Sequence, residues 1–208
     1  VIAPRSKWLV ELDYHSFHGM TCGFEAEDKD YLRLAQIDLH AYLTSDMVGQ
    51  RADTRWDDKK LTEYLKQIRA AYPEIRDTKA KRAILGYQFG MTGYLLFQMW
   101  REIYERQKDA EEAIARIDAL FPKQVAYRNR TVDEAWTRKH LKTRYGYIRW
   151  FWDAKKYNPS KRTYVWADDA KKAVAYRPTN DAHAMMEERM LYLAGLPTIA
   201  YTSSNPSA

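Results

Sequence analysis

Apolar residues recur along most of this chain at three- and four-residue intervals, the spacing that gathers them on one face of an α-helix. Leu32, Leu34, Ala35, Leu39 and Tyr42 follow it and predict a helix over residues 29 to 48. A polar stretch, GQRADTRWDDKK, comes next, and then Leu61, Tyr64, Leu65 and Ile68 resume the period until Pro73 interrupts it. From Asp77 to Phe89 the pattern is basic first and apolar later, ending at Gly90, and residues 93 to 106 continue with Leu96, Met99, Trp100 and Ile103. Asp109 with Glu112 three residues on has the form of a capping box and predicts a helix over 110 to 120, which Phe121 and Pro122 stop. Val132, Ala135 and Trp136 mark a helix over 131 to 142, and a last, Met-rich helix spans 180 to 195.

Strand signals are few. WLVEL at 8 to 12 reads as a short β-strand, YGYIRWFW at 145 to 152 as β structure or a tight turn, and NPSKR at 158 to 162 as a turn. No internal repeat is visible. The fold class is therefore α+β and predominantly helical, with a helical middle, residues 29–130, inserted between a first segment, 1–28, and a last one, 131–208.

Composition narrows the class. A chain of 208 residues can close a sizeable core as one or two compact units. Thirty-four Lys and Arg against 28 Asp and Glu leave a charge of +6, which suits a polyanionic partner without naming one. A single cysteine, Cys22, excludes an internal disulfide and a cysteine zinc cluster, so a reducing compartment, by default the cytoplasm, is expected. No apolar run approaches the roughly 20 residues of a membrane-spanning helix, and no membrane partner is expected. Sixteen Tyr and seven Trp, many beside Arg or Lys, suit either base stacking or core anchoring.

The candidate chemistry starts at Asp13, where an apolar strand ends on a carboxylate. A buried carboxylate is costly unless it is paired or holds a metal, so Asp13 is either a ligand or an ordinary cap. Lys81, Leu85 and Phe89 stand at i, i+4 and i+8, one face of a helix, with Lys81 either a phosphate contact or one of four basic residues on a solvated helix start. His40 is a ligand contact or a satisfied histidine on an amphipathic helix. Arg177 and Asn180 contact a nucleic acid or merely bracket a turn at Pro178, and Thr143, Tyr147 and Arg149 are backbone contacts or simple sheet residues.

Three stretches in order, LVELDYHSFH, IDLHAYL and KRAILGYQFGMTGY, resemble the palm and fingers motifs of family A DNA polymerases, of the phage type. Asp13 and Tyr14 match the start of the family's DYSQIE motif, Asp38, Leu39 and His40 its DIH motif, and Lys81, Leu85, Phe89 and Gly90 its third motif. FPKQVAYR, TRYGYIR and AYRPTNDAHA extend the similarity over nearly the whole chain.

The resemblance implies palm-like short strands with an inserted helical fingers subdomain, and template-directed addition of deoxynucleotides to a primer 3′ end by a two-metal mechanism. Asp13 and the Tyr14 carbonyl would hold Mg²⁺. His18, His40, Lys81, Leu85 and Phe89 would bind the dNTP, and Thr143, Arg149, Arg177, Asn180 and His183 would bind DNA primer-template. In a phage-type protein the site of action is the host cytoplasm. The same scaffold without its chemistry would be a non-catalytic DNA-binding or assembly module.

The departures from the family shape the expectation. His18 stands where the family's Glu excludes ribose, and Leu85 stands where it has an aromatic residue. Asp77 stands where it has Arg, with Arg76 or Lys79 as substitutes, and the family's Gln falls near His183 or Ala184. After Met190 the sequence LYLAGLPTIAYTSSNPSA carries no acidic residue where the family brings its second metal-binding Asp. The chain is thus expected to be a fragment, inactive alone, with thumb and second carboxylate supplied by a continuing or companion chain.

Overall fold

The computed structural model describes residues 16–193, and the strand expected at residues 8 to 12 lies outside them. The described chain is predominantly helical with two small antiparallel sheets. Helices α1 (Phe17–Glu25), α2 (Lys29–Ile37), α3 (Leu39–Met47) and α4 (Asp58–Ala71) come first. A continuous helical run then passes through α5 (Pro73–Ile75), a π-helical segment (Arg76–Ala80) and α6 (Lys81–Gln88). Helices α7 (Gly93–Met99), α8 (Gln107–Leu120) and α9 (Pro122–Arg138) precede two hairpins, β1 (His140–Lys142) with β2 (Ile148–Trp150) and β3 (Lys155–Asn158) with β4 (Thr163–Trp166). Helix α10 (Asp168–Leu193) completes the described chain, in which no helix is long and apolar enough to cross a membrane.

Several boundaries differ from the periodic pattern, each for a local reason. The helix expected over 29 to 48 is two helices, because Asp38 leaves helical geometry (φ −170°, ψ 87°) and its carboxylate accepts from the Ala41 N–H to start α3. The expected capping box does not form: α8 starts earlier, at Gln107, and Asp109 instead pairs with Arg106 at 2.7 Å. The Phe121 break is a single residue, since Pro122 suits the first position of a helix, and α9 begins there rather than at 131. It stops at Arg138, where Lys139 turns left-handed (φ 62°), so 140 to 142 are strand. The helix expected over 93 to 106 ends at Met99, Trp100 having φ −133°.

Helix α10 begins twelve residues before the expected start and carries Pro178 inside it. Proline has no N–H for the Val174 carbonyl, and the Tyr127 hydroxyl of α9 donates to that carbonyl instead, at 3.5 Å. The bridged defect lets Ala170, Ala173, Val174 and Tyr176 stay buried along one continuous helix.

Two apolar cores result. The larger draws on α1 to α8, with Tyr31, Leu43, Leu61, Ile84, Tyr87, Leu96, Ile117 and the lone Cys22 buried in it. The smaller gathers Val132, Leu141, Phe151 and Val174 between α9, the first hairpin and α10. Arg128 joins them: its guanidinium lies 4.0 Å from the Tyr87 ring centroid on one side and 5.2 Å from that of Trp166 on the other, with Asp118 at 3.7 Å.

Helix α6 ends in a Schellman motif, with Gly90 N–H donating to the Tyr87 carbonyl and Met91 N–H to that of Gly86. Gly90 has φ +72°, and a Cβ there would lie 2.8 Å from the Lys171 Cα of α10. Gly49 shares the positive φ, +74°, but faces open space. Gly49→Ala is therefore expected to cost about 1 kcal/mol, the left-handed penalty alone, and Gly90→Ala at least about 2 kcal/mol more, because α10 must back away. Urea unfolding of the two variants measures the difference.

Candidate functional site

Helix α10 packs on α1 and lines, with α1, α2, α3 and α6, a cleft of 720 Å³. Its lining includes His18 from α1, His40 from α3, Lys81, Leu85 and Gln88 from α6, and His183 from α10. The row Lys81, Leu85, Phe89 is exposed along one face of α6, as its four-residue spacing requires. Phe89 lies at the edge, its ring stacked on that of His18 with centroids 4.8 Å apart and planes 7° from parallel.

Asp38 positions this wall. One carboxylate oxygen caps α3, and the other accepts two bonds from Arg76, at 3.0 and 2.8 Å, with both side chains largely buried. The pairing ties the first turn of α3 to the π-helical segment and so sets His40 near Lys81. Arg76 also bonds Asp77, so its guanidinium is engaged by two carboxylates within the fold. Gln88 is fixed likewise, its side-chain amide donating to the hydroxyl of the fully buried Tyr31 at 2.8 Å.

Lys81 does not stand at a helix start, contrary to expectation. Ile75, Arg76, Ala80 and Lys81 all have right-handed helical angles, so the run begins at Pro73 and Lys81 acts through its own charge alone.

Burial governs the histidines. It pulls His40 down to about 4, helped by the positive Arg76 and Lys81 and opposed by Asp38 and Asp77, and it lowers His18 as well. Both rings are neutral donors and acceptors at neutral pH, and the His18 Nε2 atom is buried without a hydrogen-bond partner. His183 pairs with Glu187 one turn along α10, at 3.2 Å.

The remaining sequence candidates divide. Arg149 and Asn180 line a second hollow of 290 Å³ with Phe89, Lys171, Lys172 and Thr179, and Thr179 lines the main cleft as well. Arg177 and Asn180 lie inside α10 rather than beside a turn. The Arg177 guanidinium bonds Glu134 at 2.9 Å and the Lys142 carbonyl at 3.0 Å, and the Asn180 amide donates to the Tyr176 carbonyl. Thr143 is buried and closes the first hairpin, its hydroxyl accepting from the Tyr147 N–H at 3.2 Å. Asp13 and Tyr14 lie outside the described residues.

Sequence reasoning did not single out Ser16, Gln88, Thr179, Met186 or Glu187 as lining residues, nor Asp38 and Arg76 as the pair that orients His40. Gln88 follows Leu85 by three positions, a same-face spacing that points to it; the α10 residues carry no such signal, because their place in the lining depends on how that helix packs against α1.

Beyond the cleft, Arg144 of the hairpin turn meets Glu25 of α1 at 3.2 Å and Asp181 of α10 at 3.9 Å. Burial and the neighbouring Glu25 raise the Asp181 carboxyl to about 6, against the opposing pull of Arg144 and Arg177. Comparison with models of known protein families gives no match, and comparison with the curated proteins gives none.

The two shifted groups act oppositely on stability. The unfolded chain protonates His40 near pH 6.5 and the folded one near 4, so this group withdraws up to about 3 kcal/mol as the pH falls through that window. Asp181 takes its proton near 6 when folded and near 3.8 when unfolded, so it adds stability as the pH falls between those values. Relative to wild type, His40→Gln should therefore gain stability on acidification from 6.5 to 4, and Asp181→Asn should lose it from 6 to 3.8. Denaturant titrations across that range, with the His40 ring resonance followed by NMR to a midpoint near 4, check both.

Proposed function

We propose that this chain is the palm and fingers portion of a DNA polymerase of the family A type, and that its main cleft receives the incoming deoxynucleoside triphosphate. The observation that carries this reading is convergence. His18, His40, Lys81 and Leu85, drawn from three separate motifs on their order and spacing, line one cleft.

In this reading the Lys81 ammonium meets the triphosphate, and His40, neutral and held by the Asp38 cap, donates a ring N–H beside it. Leu85 and the stacked pair of Phe89 and His18 form the apolar wall against which base and sugar pack. The unpartnered Nε2 of His18 offers a polar contact to the sugar at the place where the family carries Glu. Arg149 and Asn180, in the adjoining hollow, and His183, in the cleft roof, face where primer and template would run. Arg177 and Thr143 serve that path as positioning residues, through Glu134 and the hairpin turn.

The family's reaction uses Mg²⁺ held by carboxylates, which activates the primer hydroxyl and steadies the leaving pyrophosphate. Among the described residues no group of three or more His, Cys, Asp or Glu is placed to hold a metal ion, and of the residues lining the cleft only Glu187 is a carboxylate. The described lining does not by itself fit a metal pair. The reading leaves that duty to Asp13, three positions before Ser16 in sequence, with the Tyr14 carbonyl and a continuing or companion chain. What these residues do unaided is bind and orient a nucleotide.

Titration with a fluorescent dATP analogue, with and without Mg²⁺, tests the assignment. Wild type should bind, and Lys81→Ala should bind about tenfold or more weakly, the loss of one charge-assisted contact. Equal affinity of the two proteins would remove the nucleotide from this cleft. DNA binding without any nucleotide binding would point instead to a non-catalytic module on the same scaffold.

A further inference from the structure

The positive charge of this protein is concentrated in one place. Residues 136 to 166, which end α9 and form both hairpins, hold nine Lys and Arg and a single acidic residue, Asp153. Since the whole chain carries only +6, everything outside this stretch is slightly acidic. Lys139, Lys142, Arg149, Lys156, Lys161 and Arg162 make no ion pair among the described residues; Lys139 and Arg149 lie over the rings of Trp136 and Phe151, and the other four are exposed with no carboxylate partner.

The same stretch exposes aromatic rings in ordered stacks. Trp150 and Trp152, two residues apart on one side of the first hairpin, are 55% and 69% exposed, their rings 5.4 Å apart and 6° from parallel. His140, the cross-strand partner of Trp150, packs on that ring at 5.1 Å. On the second hairpin Tyr157 and Tyr164, paired across the strands and both exposed, pack edge to face, with Trp136 behind Tyr164. Contiguous exposed rings of this size mark an interaction surface.

We infer that the two hairpins form a platform for single-stranded nucleic acid, whose unpaired bases extend the Trp150–Trp152 stack from Trp152 while its phosphates meet the surrounding Lys and Arg. The occupant follows from the chemistry. A flat, open indole face accepts another flat ring, uncompensated cations require an anion, and an unpaired strand supplies both in alternation. A duplex hides its base faces in its own stack, so the indoles discriminate against it. This inference does not rest on the nucleotide reading of the cleft, because Trp150 and Trp152 are absent from the cleft lining.

Anisotropy titrations of the intact chain with three labelled probes decide it: an oligothymidine, an abasic oligomer of the same length and charge, and a blunt duplex. Oligothymidine should bind about tenfold or more tightly than the abasic strand, and more tightly than the duplex. Trp150→Ala and Trp152→Ala should each weaken oligothymidine by about fivefold or more, with Trp152→Phe restoring most of the loss. Lys156→Ala with Arg162→Ala should flatten the salt dependence. Both tryptophans are exposed, so thermal melts of their variants should match wild type, and binding of the dATP analogue should not change. Equal affinity for thymidine and abasic strands, preference for duplex, or undiminished binding by the double tryptophan variant would each overturn the platform. So would displacement by polyglutamate of equal charge, which would make the partner an acidic protein surface.

Discussion

One wall of the cleft is helix α10, which packs on α1 and whose early residues meet the turn after α6 at backbone contact distance, and Gly90 is what permits that approach. With no side chain it can turn left-handed, close the Schellman motif and leave room for the Lys171 backbone. From that seat the helix runs on past Pro178 to bring Thr179, Ala182, His183 and Met186 over the α6 row. The second core holds its first half through Ala173 and Val174, and Tyr127 meets the carbonyl that Pro178 leaves unserved. Arg128, between rings of the two cores, holds the cores in register.

Electrostatics within the cleft is set by burial rather than by a crowd of charges. The Asp38–Arg76 pair neutralises itself while fixing the backbone beside His40, and the two half-buried histidines stay neutral. Lys81 therefore faces the cavity as an exposed cation, with Glu187 and His183 paired at the roof. Such a wall favours one anionic group at the α6 side and an apolar, planar body deeper in. The polymerase-type reading uses the same asymmetry.

Much of this was legible in the residues. The four-residue row of Lys81, Leu85 and Phe89 projects from one face of α6, Gly90 ends that helix, and the aromatic run after Gly146 holds a β-strand, all from periodicity and turn chemistry; that this strand pairs with residues 140 to 142 is not legible in that pattern. What local pattern could not supply was tertiary compensation. Helix α1 carries two glycines in nine residues, a poor helical sequence, yet it forms because Gly23 lets it lie directly against Leu32 of α2. Pro178 signalled a helix start and proved internal, because the Tyr127 hydroxyl from another helix meets the freed carbonyl. Asp38 reads as one member of a motif; its pairing with Arg76, 38 positions on, belongs to the packing alone. Spacing within an element thus marked which side chains share a face, while the surface they meet depended on distant contacts.

The lone thiol has a practical consequence. Cys22 lies 3% exposed in the larger core, and its burial, with Glu25 nearby, pushes its ionisation far above the ordinary range. Alkylating reagents reach it only when that core opens, so its labelling rate is a clock for the opening of the α1 region. An engineered second cysteine on either hairpin would, for the same reason, accept a dye by itself in the folded protein.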